Sequence, residues 1–371
     1  MYIEKLRDDI YTCNRTRCGF CREECPIYEI YRFEAFSSRG RNQIARGLLE
    51  GTIKPSKELL EYLGLCCVCG DCLIRCALPT VDIIETLRAD LVKLGFELRG
   101  HRRVKERILK YKNPQGKSLE EKSQWAKDLK FNENSKQLFF AGCVYSLLAP
   151  EVLVKMVKIL QNAGLELNYL GEEDCCGSAL YTTGYWDEFK TNAEPITATL
   201  EQKGIEEIIT PCPSCYKSFK KIIPEINPNF KPKVFHVVEK LLDLIEKKQL
   251  AFTKKIEKKV TWHDPCDLGR IMGLFEEPRK IIQSLPGIQI IEMVHNQYDA
   301  KCCGGGGGLL SEFADISIDI ATNRITEAEK TGAEYLVTMC PTCEDILARA
   351  ARYNESSIEV IDLIELIEMY L

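Results

Sequence analysis

The chain has 371 residues, with 50 Lys and Arg against 55 Asp and Glu, 45% hydrophobic and 28% charged. That composition suits two or three globular domains and excludes a disordered or fibrous chain, while a net charge of −5 gives no bulk attraction to nucleic acid or to anionic membrane. Cysteine is the anomaly: the 19 present are too many for ordinary packing, yet below the roughly 8–10% of a disulfide scaffold.

The chain opens Met1-Tyr2-Ile3-Glu4-Lys5-Leu6, charged and helix-like, so no secretory leader is expected. No run of about 18 apolar residues occurs, so no direct membrane span is expected. The expected location is the cytoplasm, with any contact to the inner face of the membrane made through a partner. Clustered thiols in a reducing compartment read as metal ligands or redox centres. They fall in three zones, residues 13–76, 143–215 and 266–343.

The first zone lies in a mostly helical unit, residues 1–95, with helices predicted over 38–50, 57–63 and 81–94. Cys66-x2-Cys69-x2-Cys72-x3-Cys76 has the spacing of a bacterial ferredoxin run. Cys13-x4-Cys18-x2-Cys21-x3-Cys25-Pro26 is the same run with two extra residues in its first gap. In two-cluster ferredoxins the fourth cysteine of each run serves the other cluster. Two cubane [4Fe-4S] clusters are therefore expected, one on Cys13, Cys18, Cys21 and Cys76, the other on Cys66, Cys69, Cys72 and Cys25. Zinc knuckles are the competing reading, but zinc does not need this rhythm twice. Cys67 is left over and reads as a small buried hydrophobe. Arg39-Gly40-Arg41 reads as surface charge, with contact to a cluster edge or a partner as the alternative.

Residues 96–135 have no cysteine, are dense in Lys and Arg, and include Asn113-Pro114-Gln115-Gly116. They read as a basic linker with a solvated helix face.

The remainder is a duplication, with units at 136–255 and 256–371. Cys143 corresponds to Cys266, Cys175-Cys176-Gly177 to Cys302-Cys303-Gly304, and Cys212-x2-Cys215 to Cys340-x2-Cys343, at offsets of 123, 127 and 128. The first unit alternates strand 138–141, helix 150–163, strand 165–170, helix 187–203 and strand 207–210, then a helix. The second has strands near 260–263, 288–294 and 334–338. Alternation of this kind predicts parallel α/β sheets, with each cysteine group just past the carboxyl end of a strand. Helices starting after Cys215 and Cys343 are expected to aim backbone N–H groups at the thiolates.

Five cysteines per unit are one too many for a cube. A lone Cys, 31 residues, Cys-Cys-Gly, 35 residues from the second of that pair, and Cys-x2-Cys, repeated with gaps of 35 and 36, resembles the cysteine-rich CCG domain of heterodisulfide reductases. A two-cluster ferredoxin module fused to two such domains is similar to the D subunits of that family over nearly the whole chain. The resemblance implies an α/β fold class: a mostly helical ferredoxin-like domain followed by two Rossmann-like CCG domains. It implies a noncubane [4Fe-4S] cluster on each complete five-cysteine set, with zinc at one of them as the alternative filling. It also implies an enzyme that reduces the disulfide of coenzyme M and coenzyme B to two thiols. Its partner would be an electron-donating subunit, a membrane cytochrome b or a flavoprotein, in a hetero-oligomeric complex. The same layout occurs in electron-transfer subunits of flavin-dependent glycerol-3-phosphate and 2-hydroxyacid dehydrogenase complexes, often with incomplete motifs; both motifs are complete here, which favours the reductase.

His263 precedes Cys266 in His263-Asp264-Pro265 and is the candidate catalytic proton donor to a departing thiolate, with a structural histidine as the equal alternative. Gly304 to Gly308 permit close backbone approach to a cluster or substrate; no phosphate-loop context surrounds them.

Overall fold

In the computed structural model, which describes all 371 residues, helices Arg7–Thr16, Ser38–Leu49, Lys57–Gly64 and Thr80–Lys93 build the N-terminal unit. Ser37 and Ser56 cap two of them, their hydroxyls accepting from the Gly40 N–H at 3.0 Å and the Leu59 N–H at 3.3 Å. Their inner faces bury Ile10, Ile44, Leu60, Leu63, Ile83 and Leu87 in one core.

The stretch expected as a basic linker carries the helix Arg99–Tyr111. His101 and Ile108 are buried on one face while Arg102 and Arg103 are exposed on the other. Further on, Trp125 beds edge-on against Phe131, Phe139 and Tyr169. The segment therefore packs against the first α/β unit.

Both α/β units are parallel sheets. The first orders β1 (Gln137–Phe139), β2 (Glu207–Thr210) and β3 (Lys233–His236) as 1-2-3, and Asn168 bridges to Leu138 on the outer side of β1. The second orders β5 (Ile288–Ile290), β4 (Lys258–Trp262), β6 (Tyr335–Thr338) and β7 (Glu359–Asp362) as 5-4-6-7. With the Asn168 bridge in the place of β5, the two orders coincide, so the duplication is one of fold. The strand predicted over 165–170 is reduced to that bridge, and β3 and β7 are additional edge strands. Each edge strand runs straight into a capped helix: His236 Nδ1 accepts from the Val238 N–H, and Asp362 Oδ1 from the Ile364 N–H.

The units pack reciprocally. Helix Pro150–Asn162 of the first lies on helix Leu363–Tyr370 of the second, and helix Glu276–Gln283 of the second lies on Val237–Glu246 of the first. Each helix following a unit's first strand meets the other unit's last helix, as in an isologous dimer within one chain. One hydrophobic core runs through both. No helix is long and apolar enough to cross a membrane.

Glu85, on helix Thr80–Lys93, is buried at 5% exposure with Oε1 unpartnered, and burial pushes its carboxyl from 4.5 up to about 7 against the field of Lys217. The folded chain holds this proton at a pH where the unfolded chain has lost it. The contribution to stability is full below pH 4.5 and is lost as pH rises to about 7. Glu85→Gln is expected to flatten part of the fall in urea midpoint across that window; an unchanged slope would remove Glu85 from the account.

Candidate cluster sites

None of the 19 cysteines is in a disulfide. In the N-terminal unit, Cys25 lines one small cavity with Cys66, Cys69 and Cys72. Cys76 stands with the other group: burial pushes the Cys13 thiol up to about 11, and its neighbours Cys76 and Cys18 add to the rise. Burial likewise drives Cys21 and Cys72 to about 12. Thiols in such an environment stay protonated at neutral pH unless a bound cation displaces the proton. Cys18 alone of the nineteen is exposed.

Arg41 corrects the surface-charge reading: it is 1% exposed, and its Nη2 has no partner. Burial opposes its charge, but the thiolates of Cys66 and Cys25 outweigh that and raise its pKa. Arg88 is 0% exposed and donates to carbonyls alone, among them Cys66 O at 2.7 Å. Two buried cations without carboxylate partners beside four thiols fit a resident anionic cluster.

In the α/β units the local fold makes the thiol sets. Cys212 and Cys340 are N-caps of helices Pro213–Lys217 and Pro341–Tyr353, each with Pro at the first helical position. Cys215 and Cys343 follow one turn on, so the backbone N–H groups of Ser214 and Cys215 point at the Cys212 sulfur. Gly177 and Gly304 have φ of 78° and 83°, the left-handed conformation that turns each Cys-Cys pair inward. The Gly177 N–H lies 3.5 Å from Cys175 Sγ and the Gly304 N–H 3.2 Å from Cys302 Sγ. Hydrogen bonds from Cys175 and Cys215 pull Cys176 down to about 6 against its burial. Within each set the sulfurs thus touch in a chain, Cys143–Cys175–Cys176–Cys215–Cys212 in the first and Cys266–Cys302–Cys303–Cys343–Cys340 in the second.

Both sets open on one cavity of about 410 Å³, bordered by nine of their ten cysteines and by Cys67. Cys302 is the exception; it packs with Cys67 and Cys69 in a small apolar cluster, so the second ferredoxin run touches the second unit's cysteine pair. The cavity also meets Arg103 and Arg107 of helix Arg99–Tyr111, and Lys217 with Asp267. A buried cation backs the loop ahead of each Cys-Cys pair: Lys122 donates to the Glu173 carbonyl, and Arg270 to the Ala300 carbonyl. Arg270 continues to Asp71 Oδ1 at 2.6 Å and Cys69 O at 2.7 Å, tying the second unit to the ferredoxin module.

The glycine run approaches chain backbone. A Cβ on Gly307 would stand 2.6 Å from the carbonyl of Cys67 and 2.7 Å from Cys66 O, so only glycine lets this loop lie on the second ferredoxin run. His263 is 1% exposed and does not border the cavity; a ring nitrogen lies within 4.8 Å of the sulfurs of Cys303 and Cys343. Sequence reading had no sign of Lys122, Arg88 or Arg270, because their partners lie tens to hundreds of residues away.

The cysteine-rich CCG domain family matches residues 137–220 and 260–347, and the 4Fe-4S dicluster domain family matches 10–78. The chain is 31% identical to the D subunit of the dihydromethanophenazine:CoB–CoM heterodisulfide reductase of Methanosarcina mazei, over 95% of this chain and 92% of that one. It is 29% identical to the B subunit of the fumarate reductase (CoM/CoB) of Methanothermobacter marburgensis, over 95% and 71%. It is 26% identical to the EtfAB:quinone oxidoreductase of Syntrophomonas wolfei, over 97% and 58%. A solved structure of a hypothetical protein from Helicobacter pylori shares the fold at a TM-score of 0.51 and 10% identity, over 79% of this chain and 58% of that one.

Proposed function

Because the chain belongs to the family of heterodisulfide reductase D subunits, we propose that it is the iron–sulfur subunit that reduces a heterodisulfide of the coenzyme M and coenzyme B type to two thiols. The observation that carries this is the meeting of two complete five-cysteine sets at one cavity. The reaction is R–S–S–R′ + 2e⁻ + 2H⁺ → RSH + R′SH. Cys13, Cys18, Cys21 and Cys76 would hold one cubane cluster, and Cys66, Cys69, Cys72 and Cys25 the other. Cys143, Cys175, Cys176, Cys212 and Cys215 would hold one noncubane cluster, and Cys266, Cys302, Cys303, Cys340 and Cys343 its twin. Such clusters pass electrons singly and present iron to sulfur.

The chain's own part is to place the disulfide between the two sets and to keep water from the sulfurs. Its electrons would come from a partner protein, reach the first ferredoxin set, where Cys18 is exposed, and cross to the second unit at Cys69, Cys67 and Cys302. Arg103 and Arg107 have no carboxylate partners; their bonds go to the carbonyls of Ser311 and Pro114, each at 3.5 Å. Lys217 is neutralised by Asp267, and Asp345 by Arg349, so the free charge at this cavity is positive and suits an anionic thiol end. Arg103→Ala and Arg107→Ala are each expected to raise KM about three- to tenfold with kcat nearly unchanged, as loss of a partly exposed charge contact does. An unchanged KM in the double variant would show that neither binds substrate.

Thiol release from heterodisulfide, driven by a reduced artificial donor, tests the reading when run beside iron analysis. About 16 irons per chain, four for each of four clusters, are expected with stoichiometric thiol. A fully loaded chain that releases no thiol would favour the second reading, a relay protein whose partner performs the chemistry. The similarity to the Syntrophomonas EtfAB:quinone oxidoreductase is the observation behind that alternative.

A further inference from the structure

The two cysteine sets differ in what lies behind them. His263 follows β4 just ahead of Cys266, at the same offset of 123 that relates Cys266 to Cys143, so its counterpart in the first unit is Phe140. Phe140 packs edge-on against Phe219, ring centroids 4.7 Å apart, and offers no polar atom. His263 is held by Arg324, whose Nε donates to Nδ1 at 3.2 Å. Arg324 is itself fixed by Glu327 Oε2 at 2.6 Å and the His295 carbonyl at 2.9 Å. Asp264, the next residue, accepts from both terminal nitrogens of Arg279 at 2.7 and 2.8 Å, which pins the turn.

A guanidinium donates and never accepts, so Nδ1 is the acceptor and the neutral ring carries its proton on Nε2. That Nε2 is buried and has no hydrogen-bond partner. An orphaned buried N–H is costly, so a fold that keeps one calls for an acceptor beside it. The acceptors within reach are the sulfurs of Cys303 and Cys343.

We infer that His263 is a positioning residue of the second site, its Nε2–H donating to the Cys303 and Cys343 sulfurs when they hold the cluster and raising that cluster's reduction potential. The inference rests on the iron–sulfur reading above. A hydrogen bond to a ligating sulfur withdraws charge from it and favours the more negative, reduced state. Only one of the twin clusters receives this donor, whereas the buried cations are matched, Lys122 near Cys143 and Arg270 near Cys266 and Cys302. Duplication has thus left two five-cysteine sites that are electronically distinct.

EPR-monitored redox titration of the intact, iron-loaded chain tests it, comparing wild type with His263→Phe, which copies the first unit, and His263→Gln, which restores a side-chain N–H. In His263→Phe one signal of the noncubane pair is expected to become about tenfold harder to reduce, about 59 mV for a one-electron couple, with the other clusters unmoved. His263→Gln should lie closer to wild type. An unmoved potential in a fully loaded His263→Phe chain would overturn the inference, as would equal shifts at both sites. So would loss of iron in both variants, or direct imidazole coupling to iron in the wild-type spectrum. Failure of the underlying reading looks different: wild type itself would show only cubane signals, or zinc.

Discussion

Arg88→Met is expected to cost about 3–5 kcal/mol and to loosen all three units together, seen as a lower urea midpoint with slower passage of electrons into the second unit. Arg88 is fully buried on helix Thr80–Lys93, and its guanidinium reaches carbonyls in each part of the chain. Nη2 donates to Leu63 O and Cys66 O, both at 2.7 Å, within its own unit. Nη1 donates to Thr182 O at 2.6 Å in the first α/β unit and to Gly307 O at 2.8 Å in the second. The backbones meet closely here, since a Cβ on Gly184 would stand 2.6 Å from the Arg88 carbonyl carbon. Methionine fills similar volume and removes the cost of burying a charge. It also leaves several buried carbonyls without donors, at about 1–3 kcal/mol each, and the second effect is larger. Arg88→Lys keeps the charge, but three donors on a point cannot span carbonyls set around a planar fork, so it should recover only part of the loss. A methionine variant within about 1 kcal/mol of wild type would show that apolar packing alone holds the units together.

The grouping of the cysteines was legible in the sequence because their spacing is local: x2, x2, x3 and Cys-x2-Cys are fixed by single turns of chain. The duplication was legible for the same reason, and it carries the strand order with it. The edge strands β3 and β7 were not, since KVFH and EVID are four-residue runs leading directly into helices, too short for a period of two to register. Residues 96–135 looked like a solvated linker because Arg and Lys dominate them, yet Ile108 and Trp125 supply enough apolar surface to dock the segment. The buried cations were invisible for a different reason. Arg88 and Gly307 are 219 residues apart, Arg270 and Asp71 199, and no local pattern announces a partner at that range. The contrast between His263 and Phe140, by comparison, stands in the sequence once the repeats are aligned.

Asp267→Asn should be the second damaging substitution, and it acts across the cavity. Asp267 follows Cys266 in the second unit; its Oδ1 pairs with Lys217 Nζ at 2.8 Å and its Oδ2 accepts from Ser214 Oγ at 2.7 Å, both from the helix that carries Cys215 in the first unit. The side chains of Lys217 and Asp267 are 9% and 16% exposed. Burial opposes the Lys217 charge, but Asp267 more than offsets it and holds that pKa above its ordinary value. Asparagine keeps the shape and strands the ammonium, a loss of about 3–5 kcal/mol for a buried pair broken on one side. Glu85 is the other acid whose field reaches Lys217, and it is protonated over much of the acid range, so its help grows with pH. The deficit of Asp267→Asn should therefore be greatest near pH 5 and shrink toward pH 8. Replacing both partners, Lys217→Met with Asp267→Leu, should restore most of the stability, because no charge is then left unpaired. Activity should not return with it, since Ser214 and the two cysteine-bearing turns lose the bond that sets their separation. Urea midpoints at the two pH values, with iron per chain and thiol release for the single and double variants, separate these outcomes. A double variant as unstable as the single one would mean that the turns are joined by some other contact.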